Sequence, residues 1–284
     1  MKLSKRLQQI KYLIKTDHYQ HIWDCCCDHG LLGLSLLASK LQNNHRNTDN
    51  SVIHFVDIVP ELISAVEKKL RYFSADNNQA LTDDAVWQCH CLDVAKLPLN
   101  KYQGKHLVII AGVGGDLVIK FIEAIHQRHK NLPIDFLLCP VHHQYSLRAK
   151  LIEFNFNLLD EVLVKENNRF YELLLVSASS RQHNGNVMKV TSIGNKIWQP
   201  LINNDTGLAA DTALAYLSKT LKHYQRIQYG CEQKLKNVNK KEGLAIKADT
   251  LPVKVINELA QYQQVQAILA AYSALLPSGQ KHQC

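Results

Sequence analysis

The stretch His21–Gly33, HIWDCCCDHGLLG, decides the fold. His21–Cys27 has the apolar, β-rich character of a buried strand, and Leu31–Leu41 continues as a helix. Between them stand Asp24, Asp28, three consecutive cysteines, His29 and Gly30, with Gly33 just beyond. A strand feeding a helix through such a turn opens a β-α-β unit. A dinucleotide-binding turn carries G-x-G-x-x-G, so that a pyrophosphate meets bare backbone. Here Cys26 and Asp28 occupy the first two glycine-like places. Carboxylates repel a pyrophosphate and attract a cation, so the turn disfavours NAD and suits a positively charged ligand. The plainer alternative is a helix start that Asp28 merely caps.

The alternation continues outward. Val52–Ile58, Ala85–Leu92, Leu107–Ala111 and Asp135–Cys139 are predicted strands, and Pro60–Phe73, Asp116–Lys130 and Gln144–Asn155 predicted helices. Asp160–Lys165 and Phe170–Ala178 form a predicted hairpin, with Asn167 and Asn168 supplying positive φ at the turn. The fold class is therefore α/β, a doubly wound, mostly parallel seven-stranded sheet with an antiparallel edge, the usual layout of class I methyltransferases. The polar run Ser179–Lys189 marks an expected boundary, giving a Rossmann-like domain over 1–179 and a basic, coiled-coil-like helical hairpin over 180–284. Ala210, Leu214, Leu217, Leu221 and Tyr224 outline its first helix, a second starts near Pro252, and Asn237–Thr250 is expected to join them.

In such sheets ligands bind at the C-terminal strand ends near the switch point. The second strand ends in Asp57-Ile58, where a carboxylate can accept ribose hydroxyls, and the third leads to Asp93-Val94, suited to an adenine amine and ring. The fourth ends in Ala111-Gly112-Val113-Gly114-Gly115, where the backbone must turn tightly or pass close to a ligand. S-adenosyl-L-methionine carries a sulfonium, an ammonium and no phosphate, and it fits this acidic set. The cofactor residues expected are thus Asp24, Cys26, Asp28, His29, Gly30, Asp57, Ile58, Asp93, Val94, Ala111, Gly112, Gly114 and Gly115.

The chain has 33 Lys+Arg and 25 Asp+Glu, a net charge of +8. Residues 180–284 hold 13 of the cations and 6 of the acids, so nearly all the excess lies there and points to a polyanionic partner. The opening segment, with Leu3, Leu7, Ile10 and Ile14 at helical spacing, carries Lys2, Lys5, Arg6, Lys11 and Lys15 and no acid. Eight cysteines, three of them adjacent, do not form a disulfide framework and suit a reducing compartment. A Cys25/Cys27/Cys89/Cys91 metal site would lack the usual C-x₂-C spacing, so no metal is expected. No secretory pattern and no membrane-length apolar run are evident, so a cytoplasmic protein is expected, working as a monomer or weak homodimer.

At this point the chain resembles the bacterial tRNA adenine-22 N1-methyltransferases, the TrmK family, over nearly its whole length. The likeness lies in Leu3-Ser4-Lys5-Arg6-Leu7, in Asp24…Asp28-His29-Gly30, and in Ala111-Gly112-Val113-Gly114-Gly115 where the family has A-G-M-G-G. Cys139-Pro140 with Leu147-Arg148 stands for its Q-P-N…L-R segment, and Tyr171-Glu172 for its Y-E. It departs where the family has D-I-G (Asp24-Cys25-Cys26 here), G-E (Val56-Asp57) and Q-P-N (Cys139-Pro140-Val141, then His142-His143). The resemblance implies methyl transfer from S-adenosylmethionine to an adenine N1 in tRNA. Asp28 is the expected catalytic carboxylate, and His29 is expected to orient donor or base. Lys2, Lys5, Arg6, Arg148, Lys234, Lys236, Lys240 and Lys241 are the expected RNA contacts. The competing readings are a methyltransferase for another RNA or a small molecule, a non-catalytic RNA-binding protein with a decayed cofactor site, and a nucleotide-dependent oxidoreductase, which the first-strand turn disfavours.

Overall fold

The computed structural model describes residues 3–42, 50–76, 86–179, 188–242 and 253–276. The chain divides into two compact units, Met1–Lys196 and Ile197–Cys284.

The first unit alternates strands and helices: α1 (Lys5–Leu13), β1 (His21–Cys25), α2 (Leu31–Gln42), β2 (Val52–Asp57), α3 (Pro60–Asp76), β3 (Trp87–Cys91), β4 (His106–Ala111), α4 (Gly115–Arg128), β5 (Ile134–Cys139), α5 (Gln144–Glu153), β6 (Asn157–Glu166) and β7 (Arg169–Ser177). They form one seven-stranded sheet in the order β3-β2-β1-β4-β5-β7-β6. β1 to β5 pair in parallel, and β7 pairs antiparallel with both β5 and β6. The order reverses between β1 and β4, so the switch point lies where their C-terminal ends diverge. The β6–β7 turn has Asn167 and Asn168 at φ +47° and +59°, as the paired asparagines predict. β1 stops at Cys25, earlier than expected, because Cys26 takes φ +56° and leaves the ladder.

Strand side chains alternate between two cores. Ile22, Ile53, Phe55, Leu107, Ile109 and Leu137 pack with Ile10, Leu37, Val66 and Leu70 from α1, α2 and α3. On the other face Trp23, Val56, Val108, Ile110, Phe136 and Leu138 pack with Val118, Ile122, Ile125, Leu147 and Leu151 from α4 and α5.

Arg148 is not available to RNA. Its side chain is fully buried between two carboxylates, with Nε donating to Glu172 and Nη2 to Glu161, each at 2.7 Å. Nη1 donates to the Thr191 carbonyl at 3.3 Å, and Glu161 accepts the backbone N–H groups of Asn195 and Lys196. The Leu-Arg and Tyr-Glu pairs are thus parts of one buried ionic cluster. The cluster fastens Thr191–Lys196 to the sheet, which carries the first unit past the expected end at 179 to Lys196.

Histidines form a second buried polar set, on β1 to β4. His21 Nε2 lies 3.1 Å from the Gln103 carbonyl, which only accepts, so Nε2 carries the proton. His21 Nδ1 then accepts from His54 Nε2 at 3.0 Å, and His54 Nδ1 accepts from His90 Nε2 at 2.9 Å. Trp23 stacks on His54 at 3.8 Å and donates to His106 Nδ1 at 3.2 Å. Burial, reinforced by the neighbouring imidazoles, pushes His54 down to about 2 and His106 to about 4.

The second unit contains α6 (Gln199–Ile202), α7 (Leu208–Glu242) and α8 (Val253–Ser273). α7 and α8 run antiparallel, with Tyr224 stacked on Tyr272 and the Tyr262 hydroxyl donating to Glu232. α7 continues through Glu242, so Asn237–Glu242, expected in a connection, is helical. That segment contains no Gly or Pro to interrupt a helix.

Two expectations follow. Arg148→Met strands two buried carboxylates and should cost about 3–5 kcal/mol in denaturant unfolding; a loss below about 1 kcal/mol would contradict the buried cluster. His54 is neutral in the fold and titrates normally when unfolded, so its contribution is present above about pH 6.5 and lost as pH falls towards its depressed value. Unfolding free energies measured at pH 5 and 6.5 should depend on pH less steeply in His54→Gln, by up to about 1.4 kcal/mol per pH unit. Identical slopes in both proteins would mean that His54 is not held neutral.

Candidate active site

The loop after β1 is strung between two carboxylates. Asp24, on the last turn of the strand, is buried and accepts the Gly33 N–H at 3.0 Å, closing the first turn of α2 from outside the helix. Asp57, at the end of β2, accepts the Asp28 N–H at 3.2 Å through one oxygen and the Val59 N–H at 3.1 Å through the other. Cys26, Asp28 and Gly30 alternate at φ +56°, +49° and +68°. Cys26 therefore keeps a conformation that suits glycine, at a cost of about 1–2 kcal/mol.

Asp28 does not cap the helix. Its carboxylate is exposed and lies 3.6 Å from His29 Nε2. Asp24 takes the capping part instead, which leaves the Asp28 carboxylate exposed. Burial raises the Asp24 carboxyl to about 7, the Gly33 hydrogen bond lowers it, and nearby Asp57 raises it further. The Cys26 thiol is pushed up to about 11 by burial and then by Asp57, Asp24 and Asp93. The thiol thus stays protonated.

A cavity of about 250 Å³ opens against this loop, lined by Arg6 and Leu7 of α1, by Asp24–His29, by Leu31 and Leu32, and by Ala111–Val113. The structure therefore brings Asp24, Cys26, Asp28, His29, Ala111 and Gly112 together around one space. Gly112 has φ +86° and nothing within 4 Å of where a Cβ would stand, as a position beside a ligand requires.

The other glycines serve packing. A Cβ on Gly114 would stand 2.4 Å from the His142 ring, and one on Gly115 would stand 2.7 and 2.8 Å from the His142 and His143 carbonyls. They let the β5–α5 loop press on the start of α4, and neither lines the cavity. Gly30 closes a turn onto the Cys27 carbonyl and would carry a Cβ 3.0 Å from Val66. Val94 is also buried in the core rather than presented to a ligand. Asp93 accepts the Ala95 N–H at 2.9 Å and so caps a short helical turn, Val94–Lys96. Asp57, Asp93 and the exposed Ile58 lie outside the cavity lining, along the open edge of the sheet beyond it.

The expected RNA contacts fare differently from one another. Lys5 is exposed on α1, and Lys234 and Lys236 are exposed on α7. Lys240 and Lys241 belong to α7 with side chains outside the described set, and Lys2 lies outside the described residues. Arg6 is turned inward, its guanidinium 4.9 Å from the Tyr171 ring centre, and it lines the cavity. Sequence reading missed a face of α7 where Lys222, Gln225, Arg226 and the exposed Tyr229 line a shallow surface groove. Their spacing of three, four and seven residues was legible, but only as a solvated surface.

Among the described residues no group of His, Cys, Asp or Glu is arranged to hold a metal ion, and no helix is long and apolar enough to cross a membrane.

Comparison with known proteins accords with this geometry. Solved structures share the fold over almost the whole chain. An uncharacterized protein from Listeria monocytogenes serotype 4b is 17% identical with a TM-score of 0.61, covering 97% of this chain and 100% of that one. M. capricolum TrmK, solved with S-adenosyl-homocysteine, is 16% identical with a TM-score of 0.57, covering 95% and 99%. Streptococcus pneumoniae Sp1610, described as a putative tRNA (m1A22) methyltransferase, is 16% identical with a TM-score of 0.54, covering 94% and 100%. No curated relative matches the chain. The profile of the methyltransferase domain matches residues 3–174, more than half of the sequence, and the chain belongs to that family.

Proposed function

We propose that the chain is an S-adenosylmethionine-dependent RNA methyltransferase acting on an adenine N1 in tRNA, with position 22 as the target. The observation that carries this reading is a cavity lined by Asp24, Cys26, Asp28 and His29 at the end of the central strand and by the bare backbone of Gly112. A site so acidic favours a cationic donor over a phosphate-bearing one. S-adenosylmethionine supplies a methyl group activated on a positively charged sulfur. Asp57 and Ile58 suit a ribose and the face of an adenine, Asp93 its exocyclic amine, and the cavity the methionine portion. The relatives solved with S-adenosyl-homocysteine, or described as tRNA methyltransferases, support the same reading by fold.

Adenine N1 already offers a lone pair, so the acceptor needs no prior deprotonation. The protein's part is to align the two reactants and to exclude water. N1 becomes part of a cationic ring as the bond forms, and Asp28, exposed beside the cavity, is placed to stabilise that charge or to take a proton from the exocyclic amine. His29 orients it. N1 lies on the pairing edge of the base, so the target must be unstacked before it reaches the site. Lys222, Arg226 and Lys236, with Tyr229 between them, offer phosphate contacts and a stacking platform along about 21 Å of α7.

Incubation with labelled donor and total tRNA, followed by nucleoside mass spectrometry, should yield N1-methyladenosine, with Asp28→Ala reducing the rate at least tenfold. Label confined to small molecules, or absent altogether, would overturn the reading. Replacing Lys222 and Arg226 with Glu, and Tyr229 with Ala, should raise the KM for tRNA about tenfold or more, while donor affinity stays unchanged. The unmodified protein's tRNA affinity should fall steeply with added salt. Asp24 carries a proton below about pH 7 and so attracts a cationic donor less. Donor affinity should therefore strengthen as pH rises from 6 towards 7 and level off above it, by at most tenfold per unit. A calorimetric titration series that is flat across this range would show that Asp24 does not take part.

A further inference from the structure

The cavity holds an arginine that the acidic picture leaves unexplained. Among the residues lining it, Arg6 is the permanent cation, and it faces a loop bearing Asp24 and Asp28. It is held there firmly. Its backbone N–H lies 3.4 Å from Glu166 Oε1, its guanidinium stacks at 4.9 Å on Tyr171, and it touches the Cys139 thiol at the end of β5. Its Nε is buried without a hydrogen-bond partner. No carboxylate stands within ion-pair distance of its guanidinium among the described residues.

The contrast with Arg148 is informative. That arginine, fully buried where Arg6 is half-buried, is matched by Glu161 and Glu172 and by a carbonyl. Arg148 is neutralised fully, whereas Arg6 lines a cavity with a buried Nε that has no partner, a place where an anion brought by a ligand is favoured. The cavity measures about 250 Å³, which suits a fragment the size of an amino acid rather than a whole nucleoside donor. An amino-acid end presents an ammonium and a carboxylate a few ångströms apart. The carboxylates of the β1 loop answer the first, and Arg6 answers the second.

Resting on the reading of the site as a donor pocket, we propose that Arg6 is the counter-ion of the donor's α-carboxylate. This makes it a binding residue of the methionine end and not a contact for RNA phosphates. It also fixes the polarity of the pocket, with the amino-acid end under α1 and the adenosyl end towards Asp57 and Asp93. A methylated adenine is cationic and gains nothing from a guanidinium, so the acceptor base is the less suitable partner.

The test pairs a truncated ligand with a truncated side chain, using the full-length protein and calorimetry. The ligands are S-adenosylmethionine and its decarboxylated form, which lacks only the carboxylate. The wild type should prefer the intact donor by about ten- to a hundredfold. Arg6→Met, which keeps an apolar stem against Tyr171, should lose that factor for the intact donor, bind the decarboxylated form as the wild type does, and so show no preference. Arg6→Lys, which retains the charge, should recover part of the preference and serves as the informative variant if the methionine form does not fold. Unchanged discrimination in the variants, or equal weakening towards both ligands, would overturn the assignment and leave the donor pocket standing. No binding of either ligand by the wild type would overturn the pocket itself, and the assignment with it.

Discussion

The site depends on a buried carboxylate at the end of the central strand. Asp24 reaches past the loop that follows it to the Gly33 N–H, while Asp57 on the neighbouring strand takes the Asp28 N–H. These two bonds suspend the segment between them and hold Cys26, Asp28 and Gly30 at positive φ. The approach of α2 to the sheet is fixed by the same design, because a Cβ on Gly33 would stand 2.3 Å from the Phe55 ring. With Asp24 and Asp57 committed to backbone, Asp28 and His29 are left to face the cavity. Asp28 is thus the carboxylate of this loop that holds no backbone group.

Much of the frame was legible in the sequence because it follows from periodicity. The alternating strands, the Asn167-Asn168 turn and the long apolar helix faces each declare themselves locally. The strand-end acids were legible too, since topology alone sends strand ends to one edge. What stayed hidden was the division of labour among similar residues. Three glycines close together look alike as letters, yet Gly112 faces open space while Gly114 and Gly115 make room for the loop carrying His142 and His143. Asp28 is the candidate cap by position, and only the path of the loop shows that Asp24 does the capping. Arg6 and Arg148 look like surface cations because their partners lie far away in sequence: Tyr171 for one, Glu161 and Glu172 for the other.

Polar groups are distributed unequally through the sheet. The histidine row lies on the same sheet face as Trp23 and is held neutral chiefly by burial, while the direction of its hydrogen bonds follows from one carbonyl, that of Gln103. The acidic set lies at the C-terminal strand ends, and its exposed member beside the cavity is Asp28. Neutral, hydrogen-bonded groups specify a packing, although His106 Nε2 is buried without a partner, whereas unpaired charges remain available to a ligand. The same rule separates Arg148, which is neutralised and structural, from Arg6, which is open to the cavity.

The central claim is that the strand-end carboxylates form a single receptor for a donor with cationic sulfur. It is tested most directly by a crystal structure of the chain with S-adenosylmethionine. The account predicts the adenosyl group at the Asp57–Asp93 edge and the methionine portion in the cavity between Asp24 and Gly112. Density for the ligand anywhere else, or carboxylates that turn away from it, would contradict the account.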